Sequence, residues 1–215
     1  MSDARDAVLG AIRKSLGRDR LPPGAARALE TRVPAHPRPQ LAGDPVDRFI
    51  ARAGAQSISL EHAATRDAIP NAVAAYLQRH KLPARLVIAR PLAALGWPAS
   101  FAVEVREARQ DDAVSVTPCF AAIAETGSIV LLSSPASPTT LAFVPDDHIV
   151  VLSREQIVAQ IEDVWRRLRT AGLPMPRALN IVSGPSRTAD IEQVVQLGVH
   201  GPRRLHLIVV DEPLS

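Results

Sequence analysis

Short apolar runs of strand length recur along the chain from residue 46 onward, and several of them alternate with segments of helix length. The runs are rich in Val, Ile and Leu and are bounded by turn-forming residues, which is typical of β-strands. Strands that alternate with helices predict crossover connections and a largely parallel sheet. The predicted strands are 56–60, 84–89, 101–105, 113–116, 129–132, 148–152, 179–182 and 205–210. The predicted helices of this region are 46–53, 63–80 and 154–170.

The helix at 154–170 is predicted from a single apolar face. That face is formed by Ile157, Ile161, Val164 and Leu168. Aromatic residues make up only 3% of the 215 residues, so the core has to be built mainly from Ala, Val, Leu and Ile. Such a core suits a parallel sheet that helices cover on both faces. The predicted fold class is therefore α/β, a layered sandwich with a mostly parallel sheet.

The first 45 residues differ from the rest of the chain. Residues 3–17 have helical apolar spacing, with Asp3 as a candidate N-cap and Gly17 as a candidate stop. Six prolines within 18–46 exclude a regular helix or a central strand there. We predict an N-terminal helix and Pro-rich arm over 1–45 and an α/β domain over 46–215. The arm either ties the helix to the domain or reaches a neighbouring subunit in a homo-oligomer.

The charge pattern argues against nucleic acid as a partner. The formal net charge is +3, but the arginines are scattered among acidic residues, and no basic run alternates with aromatic residues. No stretch approaches the roughly 20 apolar residues of a membrane span, and the amino terminus lacks the apolar core of a signal peptide. We therefore expect a cytoplasmic protein with no membrane span.

The chain has one cysteine, Cys119, which cannot form an intramolecular disulfide. One cysteine also falls short of the ligand set of a structural zinc or an iron–sulfur cluster. No closely spaced group of His, Asp and Glu indicates a metal site. We expect no metal and no cofactor, and we interpret Cys119 as a buried, unreactive thiol.

A Glu-Thr-Gly turn at residues 125–127 interrupts two apolar runs in AIAETGSIVLLSS, residues 122–134. Such a turn places a carboxylate at a strand end, and Gly127 permits a tight turn and the close approach of a ligand or another backbone. The functional interpretation makes Glu125 a nucleophile or general base, with Thr126, Gly127 and Ser128 lining a ligand. The alternative is an ordinary hairpin turn in which Glu125 is capping or paired.

The segment 183–190 follows an apolar strand in NIVSGPSRTADIEQVV, residues 180–195. A helix is predicted to begin near Thr188 or residue 189, so a strand, a small-residue loop and a helix N-terminus together form a plausible anion site. Arg187 supplies a planar cationic fork for a carboxylate or phosphate. Ordinary N-capping by Ser186 or Thr188 is the alternative. The candidate ligand residues here are Ser183, Gly184, Ser186, Arg187, Thr188 and Asp190.

The segment 199–203 holds His200 between Gly198 and Gly201 in LGVHGPRR. A loop histidine of this kind can shuttle protons, donate a hydrogen bond or bind a metal. The alternative is a histidine that only bonds backbone carbonyls. We assign His200 as a candidate catalytic residue and Gly201 as a ligand-binding residue. His148 and His206 lie inside apolar strand runs and are predicted to be core histidines.

Taken together, AETGSIVL, LAFVPDDHIVVL, SGPSRTADIE and LGVHGPRRLH resemble the signature of the lactate-utilisation (LUD) family. The resemblance covers residues 113–210, and ARDAVLGAIRKSLGR is similar to the amino terminus of the family's C-type members. It implies a three-protein system that oxidises L-lactate to pyruvate, in which the other two components carry the iron–sulfur motifs. It also implies a fold similar to the sugar-phosphate isomerase and CoA-transferase superfamily, in which some members use a glutamate nucleophile comparable to Glu125.

Three hypotheses follow. The chain is a non-redox subunit of an iron–sulfur lactate-oxidation system, a free-standing CoA-transferase-like or isomerase-like enzyme on a small anionic substrate, or a ligand-sensing module without chemistry. The first is preferred, and whether the chain is itself an enzyme stays open. The subunit of the first hypothesis binds the substrate, assembles the complex or regulates it. All three hypotheses can share one pocket, which we expect where the 125–127 turn, the 183–190 segment and the 199–203 segment converge.

Overall fold

The computed structural model describes residues 2–17, 22, 24–30, 38, 40–188, 196–198 and 200–214. It divides into two units, Met1–Gln40 and Leu41–Ser215. The first unit contains helices α1 (Ser2–Leu16) and α2 (Ala25–Glu30). Gly17 follows α1 with a φ of +59°, as expected for a glycine stop. The assignment of 1–45 and 46–215 to separate domains stays a prediction.

Four further helices lie in the second unit: α3 (Pro45–Ala55), α4 (Ile69–His80), α5 (Thr140–Phe143) and α6 (Ile161–Thr170). Helix α3 begins where the Asp44 carboxylate accepts hydrogen bonds from the N–H groups of Val46 and Asp47, at 2.6 and 3.3 Å. Pro45 occupies the first turn, where no N–H partner is needed. The predicted helix at 46–53 is confirmed.

The strands of the second unit, in chain order, are β1 (Ser59–Ala63), β2 (Arg85–Ile88), β3 (Ala102–Val105), β4 (Val114–Pro118), β5 (Ala121–Ile123), β6 (Ser128–Leu132), β7 (Asp147–Ser153), β8 (Ile157–Val158), β9 (Leu179–Val182), β10 (Arg187–Thr188), β11 (Gln196–Leu197) and β12 (Arg204–Val210). Six of them form the main sheet in the order β1-β12-β7-β4-β2-β3, and every neighbouring pair is parallel. The predicted α/β class with a mostly parallel sheet is confirmed.

A second sheet has the order β8-β5-β6-β9. Its β5–β6 and β6–β9 pairs are antiparallel, and its β5–β8 pair is parallel. The chain enters this sheet directly after β4 of the main sheet, at residues 119–120. Strands β10 and β11 form a separate antiparallel pair.

The elements of the second unit stack in layers. Helix α4 covers one face of the main sheet, where Val73 and Tyr76 pack with strand residues such as Ile208. Helix α3 and the second sheet cover the other face, through Phe49, Ile129 and their neighbours. Helix α6 covers the outer face of the second sheet with Val164. Both faces of the main sheet are therefore buried, as its aliphatic composition predicts.

The predicted helix at 154–170 is wrong in its first half. Residues 154–156 form a single 3₁₀ turn, and Ile157 lies in β8, paired with Ala122 of β5. The β-branched pair Ile157–Val158 completes the edge of the second sheet, which tertiary pairing favours over helix. The helix begins only at Ile161, where the Asp163 carboxylate accepts the Gln160 N–H at 3.1 Å.

Among the helices that the structure describes, none combines the length and the apolar character needed to cross a membrane.

Candidate functional site

The 125–127 turn connects β5 to β6 as a tight hairpin. The N–H of Gly127 donates to the carbonyl of Ile123 at 2.8 Å, and Gly127 has a φ of +73°. A Cβ on Gly127 would lie 2.5 Å from the backbone of Arg52 and Ala53 in α3. The close approach that this glycine permits is therefore to another backbone.

Glu125 is half-buried, and its N–H donates to the carbonyl of Ala159 at 3.0 Å. Within the described part of the chain, no group forms a hydrogen bond or ion pair with its carboxylate. The alternative in which Glu125 is a capping or paired residue therefore finds no partner there. The carboxylate remains available for a ligand or a proton.

A chain of hydroxyl groups joins the 125–127 turn to the 183–190 segment. The Oγ1 of Thr126 lies 2.7 Å from the Oγ of Ser128, which lies 2.7 Å from the Oγ of Ser183. The β6–β9 register brings the two serines together, because it pairs their neighbours Ile129 and Val182. Ser128 is buried, whereas Thr126 and Ser183 are exposed. The buried Ser128 hydroxyl thus links two exposed hydroxyl groups.

Ser186 joins the 183–190 segment to the 199–203 segment. Its N–H donates to the carbonyl of Pro202 at 2.8 Å, and its Oγ accepts the N–H of His200 at 3.2 Å. Gly201 lies against it, because a Cβ there would be 3.5 Å from that of Ser186. His200 itself is exposed. The two segments are thus held in contact by hydrogen bonds.

Arg187 is exposed and donates a hydrogen bond from Nη2 to the Oγ of Ser57, in the turn between α3 and β1. Gly184, with a φ of +118°, packs against the same turn, since a Cβ there would lie 2.6 Å from the carbonyl oxygen of Gln56. Gly184 and Arg187 therefore pack against the end of α3.

Of the two predicted helix starts, the one at Thr188 is wrong, and the one at residue 189 lies outside the described residues. Arg187–Thr188 is strand β10, which pairs with Gln196–Leu197, because these residues satisfy their backbone groups across a two-stranded ladder. The side chain of Thr188 and the whole of Asp190 lie outside the described residues. The predicted helix-terminus contribution to an anion site therefore has no support at residues 187–188.

A cleft lies elsewhere, at the carboxyl end of β4. Its volume is about 940 Å³. None of the sequence-predicted site residues lines it. Its walls are Pro91 after β2, Glu107 after β3, Pro118, Cys119 and Phe120 at the end of β4, and residues from the loops 132–139 and 173–178. Sequence reasoning missed it because these loops read as Pro- and Ser-rich connectors.

The cleft coincides with a reversal in the topology of the main sheet. Strands β2 and β4 are neighbours in the main sheet. After β2 the chain continues to β3 on one side of this pair, and after β4 the next strand of the main sheet, β7, lies on the other side. The crevice outside the carboxyl ends of such a strand pair is where open α/β sheets bind ligands. The N–H of Arg90 donates to the carbonyl of Ala136 at 2.9 Å, so the 132–139 loop is fixed over the end of β2.

Cys119 is buried in the wall of the cleft, as predicted. Burial raises the pKa of its thiol to about 12, so it remains protonated and adds apolar surface. Among the described residues, no group of three or more His, Cys, Asp or Glu side chains is arranged to hold a metal ion.

A model of the LUD domain matches residues 92–210, which is more than half of the chain. The chain belongs to the LUD domain family. The family resemblance read from the motifs is thereby confirmed. The LUD domain contains strands β3 to β12, all three predicted site segments and every residue of the cleft except Pro91.

Two relatives of this LUD domain protein are named lactate utilization protein C. The one from Exiguobacterium sp. is 33% identical over 119 residues, 54% of this chain and 52% of the relative. The one from Deinococcus radiodurans is 43% identical over 100 residues, 46% of each protein. The chain spans about half the length of the curated relatives it matches.

A crystal structure of a DUF162 family protein from Deinococcus radiodurans has a similar fold, with a TM-score of 0.57 and 28% sequence identity. The similarity covers 80% of this chain and 99% of that one. The predicted similarity to the sugar-phosphate isomerase and CoA-transferase superfamily stays a prediction.

Proposed function

We propose that this chain is a non-redox component of an L-lactate utilisation system and binds a small organic anion. The relatives named lactate utilization protein C support the first part. The second part is carried by one observation: hydrogen bonds through Ser128, Ser183 and Ser186 join three motifs that are distant in sequence. These hydrogen bonds between separate elements support a shared polar cluster there, which we call the anion cluster.

The single cysteine supports a non-redox role. Iron–sulfur clusters are held by several Cys thiolates, usually four, and this chain supplies one, which is buried and protonated. Electron transfer in the proposed system therefore belongs to iron–sulfur partner subunits. The chain's own contribution is to bind the anion or to support the complex.

Three side chains have proposed roles at the cluster. The Glu125 carboxylate, which has no partner among the described residues, acts as general base or nucleophile, and His200 assists proton transfer. Arg187 binds the anion, since its guanidinium has five N–H donors and Ser57 takes only one of its hydrogen bonds. The hydroxyl groups of Ser183 and Ser186 supply further polar contacts. The remaining proposed ligand residues are Thr126, Gly127, Ser128, Gly184, Thr188, Asp190 and Gly201.

The test is L-lactate-dependent reduction of an electron acceptor by the iron–sulfur partner proteins, with and without this chain. We expect reduction to require the chain. We also expect Arg187→Gln to lower the rate, whereas Arg169→Gln, an exposed arginine of α6, leaves the rate unchanged. Full reduction without the chain would remove it from the system.

A free-standing enzyme is the second candidate. It is favoured by the half-buried Glu125 carboxylate, for which the described part of the chain supplies no partner. In that case the chain alone turns over a small anionic substrate such as an acyl thioester or sugar phosphate. Glu125→Gln is then expected to lower turnover by at least about 100-fold while substrate binding persists. Glu155→Gln, at an exposed glutamate, serves as the control. Binding by the wild-type chain without any turnover would instead identify a ligand-sensing module.

A further inference from the structure

The cleft at the carboxyl ends of β2 and β4 is a second site, separate from the proposed anion cluster, with which it shares no residue. Its volume of about 940 Å³ lies within the range of roughly 300–1,000 Å³ that small-molecule pockets occupy. A three-carbon acid would leave most of this volume empty. The space therefore fits a considerably larger molecule than lactate.

The walls of the cleft are mainly apolar. Phe120 and Leu132 contribute side chains from the second sheet, and Leu173 and Met175 contribute them from the 173–178 loop. The exposed fractions of Leu173 and Met175 are 52% and 72%, so this loop presents apolar surface that the described chain does not cover. The remaining apolar wall is rich in proline: Pro91, Pro118, Pro135, Pro138, Pro174 and Pro176. Fixed proline φ angles favour a preformed wall.

Ser133, Ser134 and Arg177 line the cleft with groups that can donate hydrogen bonds to a ligand. The Oγ of Ser133 accepts the N–H of Ala178 at 2.8 Å, and the Oγ of Ser134 accepts the N–H of Ser137 at 3.0 Å. Each hydroxyl keeps its own hydrogen for a ligand. Arg177 is exposed and forms no ion pair within the described residues. Arg177 precedes Ala178, which is hydrogen-bonded to Ser133, and all these residues line the cleft. A guanidinium and hydroxyl donors in one lining suit an acceptor-only group such as a carboxylate or sulfonate.

The basic and acidic residues of the cleft, Arg177 and Glu107, come from different segments of the chain. Arg177 belongs to the same loop as the apolar residues Leu173 and Met175, whereas Glu107 is contributed by the segment after β3. An anionic group paired with Arg177 would thus have apolar surface next to it for the rest of the molecule. This arrangement suits a molecule with one charged end and an apolar body.

We propose that this cleft binds an amphipathic organic anion, with its charged group at Arg177, Ser133 and Ser134 and its apolar body against Phe120, Leu132 and Leu173. Cys119 takes no covalent part, because its buried thiol faces the ligand only as apolar surface. The proposal stands independently of the lactate role, since it concerns binding at a different set of residues.

The test uses two fluorescent probes of nearly equal shape. 8-Anilinonaphthalene-1-sulfonate has an apolar body and one anionic group, and N-phenyl-1-naphthylamine has the same body without the sulfonate. The full chain is expected to bind both saturably. Arg177→Gln is expected to weaken sulfonate-probe binding about tenfold, which is the size of one charge-assisted contact, and to leave binding of the neutral probe unchanged. Arg169→Gln is the matched control and is expected to change neither.

A second variant tests the apolar wall. Leu173→Asp places a negative charge at an exposed position of the cleft, so folding is retained and both probes are expected to bind more than tenfold more weakly. Val144→Asp, at another exposed apolar position, should have no effect. The proposal is overturned if neither probe binds saturably. It is also overturned if Arg177→Gln weakens both probes equally, or if Leu173→Asp leaves both affinities intact.

Discussion

Asp147, the first residue of β7, is a fully buried carboxylate with two partners. Its oxygens accept hydrogen bonds from Nε and Nη2 of Arg204, each at 2.6 Å, and Oδ1 also accepts the Tyr76 hydroxyl at 2.6 Å. Burial, reinforced by the hydrogen bond to Asp147, raises the pKa of Tyr76, so its hydroxyl remains a donor. The three side chains tie β7, β12 and α4 together at the amino ends of the strands.

Asp147→Asn is expected to lower the free energy of unfolding by about 2 kcal/mol, because it removes the charge of a buried carboxylate that accepts three hydrogen bonds, whereas the Arg204 side chain is 43% exposed and stays solvated. The matched control is Asp146→Asn. Asp146 is 60% exposed, pairs with Arg203 at 3.7 Å, and should contribute less than about 1 kcal/mol. Urea denaturation of both variants measures the difference, and equal losses would contradict a special role for the buried pair.

Two buried histidines make stability depend on pH. Burial lowers the pKa of His148 to about 3 and that of His206 to about 4, from an ordinary value of 6.5. Between pH 6.5 and these values, the unfolded chain binds protons that the native chain does not. Stability is therefore complete above pH 6.5 and falls as the pH falls, by up to about 1.4 kcal/mol per pH unit for each histidine.

His148→Gln is expected to make this decline shallower between pH 6 and pH 4 by about one proton's contribution. Glutamine keeps a polar group near the Oγ1 of Thr117, which lies 2.8 Å from Nε2 of His148. The measurement is the unfolding free energy at several pH values. A slope identical to that of the wild-type chain would show that His148 is not the group responsible.

The sequence predicts whether a single residue is buried better than it predicts which residue that one contacts. His148 and His206 lie inside apolar runs, and this position alone predicts that both are buried, as the structure shows. The partner of Asp147 lies 57 residues away, at Arg204, and neither residue carries a local pattern that predicts the other. Which residues meet across parallel strands depends on which strands are neighbours in the sheet. Local sequence patterns do not specify these neighbours.

At the scale of elements, the β5–β6 hairpin is positioned by its contact with α3. Gly127 has a positive φ and no room for a side chain, whereas Gly172 has a φ of +62° and nothing within 4 Å of its Cβ position. Both glycines have a positive φ, but only Gly127 has neighbouring atoms where a Cβ would lie. Their comparison separates conformational strain from the close approach of two elements.

Gly172→Ala is expected to cost about 1 kcal/mol, the strain of a left-handed alanine. Gly127→Ala should cost clearly more, about 3 kcal/mol, because the methyl group also pushes the hairpin away from Arg52 and Ala53. Thermal or urea denaturation of the two variants measures both losses. Equal losses would mean that α3 moves aside without cost.

Elements with a single strong local signal were predicted well. The strand at 179–182 has the predicted bounds, and β12 and β7 differ from prediction by one residue at each affected end. The strand predicted at 56–60 instead begins at Ser59, because Ser57 adopts a φ of +61° and the N–H of Ile58 donates to the carbonyl of Ala53. Strand β5 was missed because Ala121–Ile123 is too short and alanine-rich to indicate a strand.

For the whole molecule, the described buried hydrophobic residues all lie between Phe49 and Val210. The four clusters that they form join the layers of the second unit. Helix α3 has its own N-cap at Asp44, inside that unit. The second unit thus contains its own core and its own capping group at the first helix.

Deletion of residues 1–40 is therefore expected to leave a folded protein whose unfolding free energy changes by less than about 1 kcal/mol. Urea denaturation followed by circular dichroism measures this, with the full chain as reference. Loss of a cooperative transition would show that the first unit is needed for the core of the second.

The sequence indicated the site's motifs but not the cleft at the carboxyl ends of β2 and β4. Residues 125–127, 183–190 and 199–203 stand out because their glycines and charged residues interrupt apolar runs, and the structure joins them through Ser128, Ser183 and Ser186. The cleft depends on the reversal between β2 and β4, and on loops that become neighbours only when the sheet is complete. Its residues have no shared local pattern along the chain.

The edge strand β1 has only one neighbour in the main sheet, the last strand β12, and Ser59 meets His206 across 147 positions of sequence. During synthesis, β1 therefore leaves the ribosome long before its partner exists. At roughly 5–20 residues per second, that interval lasts on the order of ten seconds. Throughout it, an unpaired strand edge is exposed to other nascent chains. The main sheet can therefore be completed only after β12 has been synthesised, and the yield of this protein in a cell should depend on chaperones that shield β1 in the meantime.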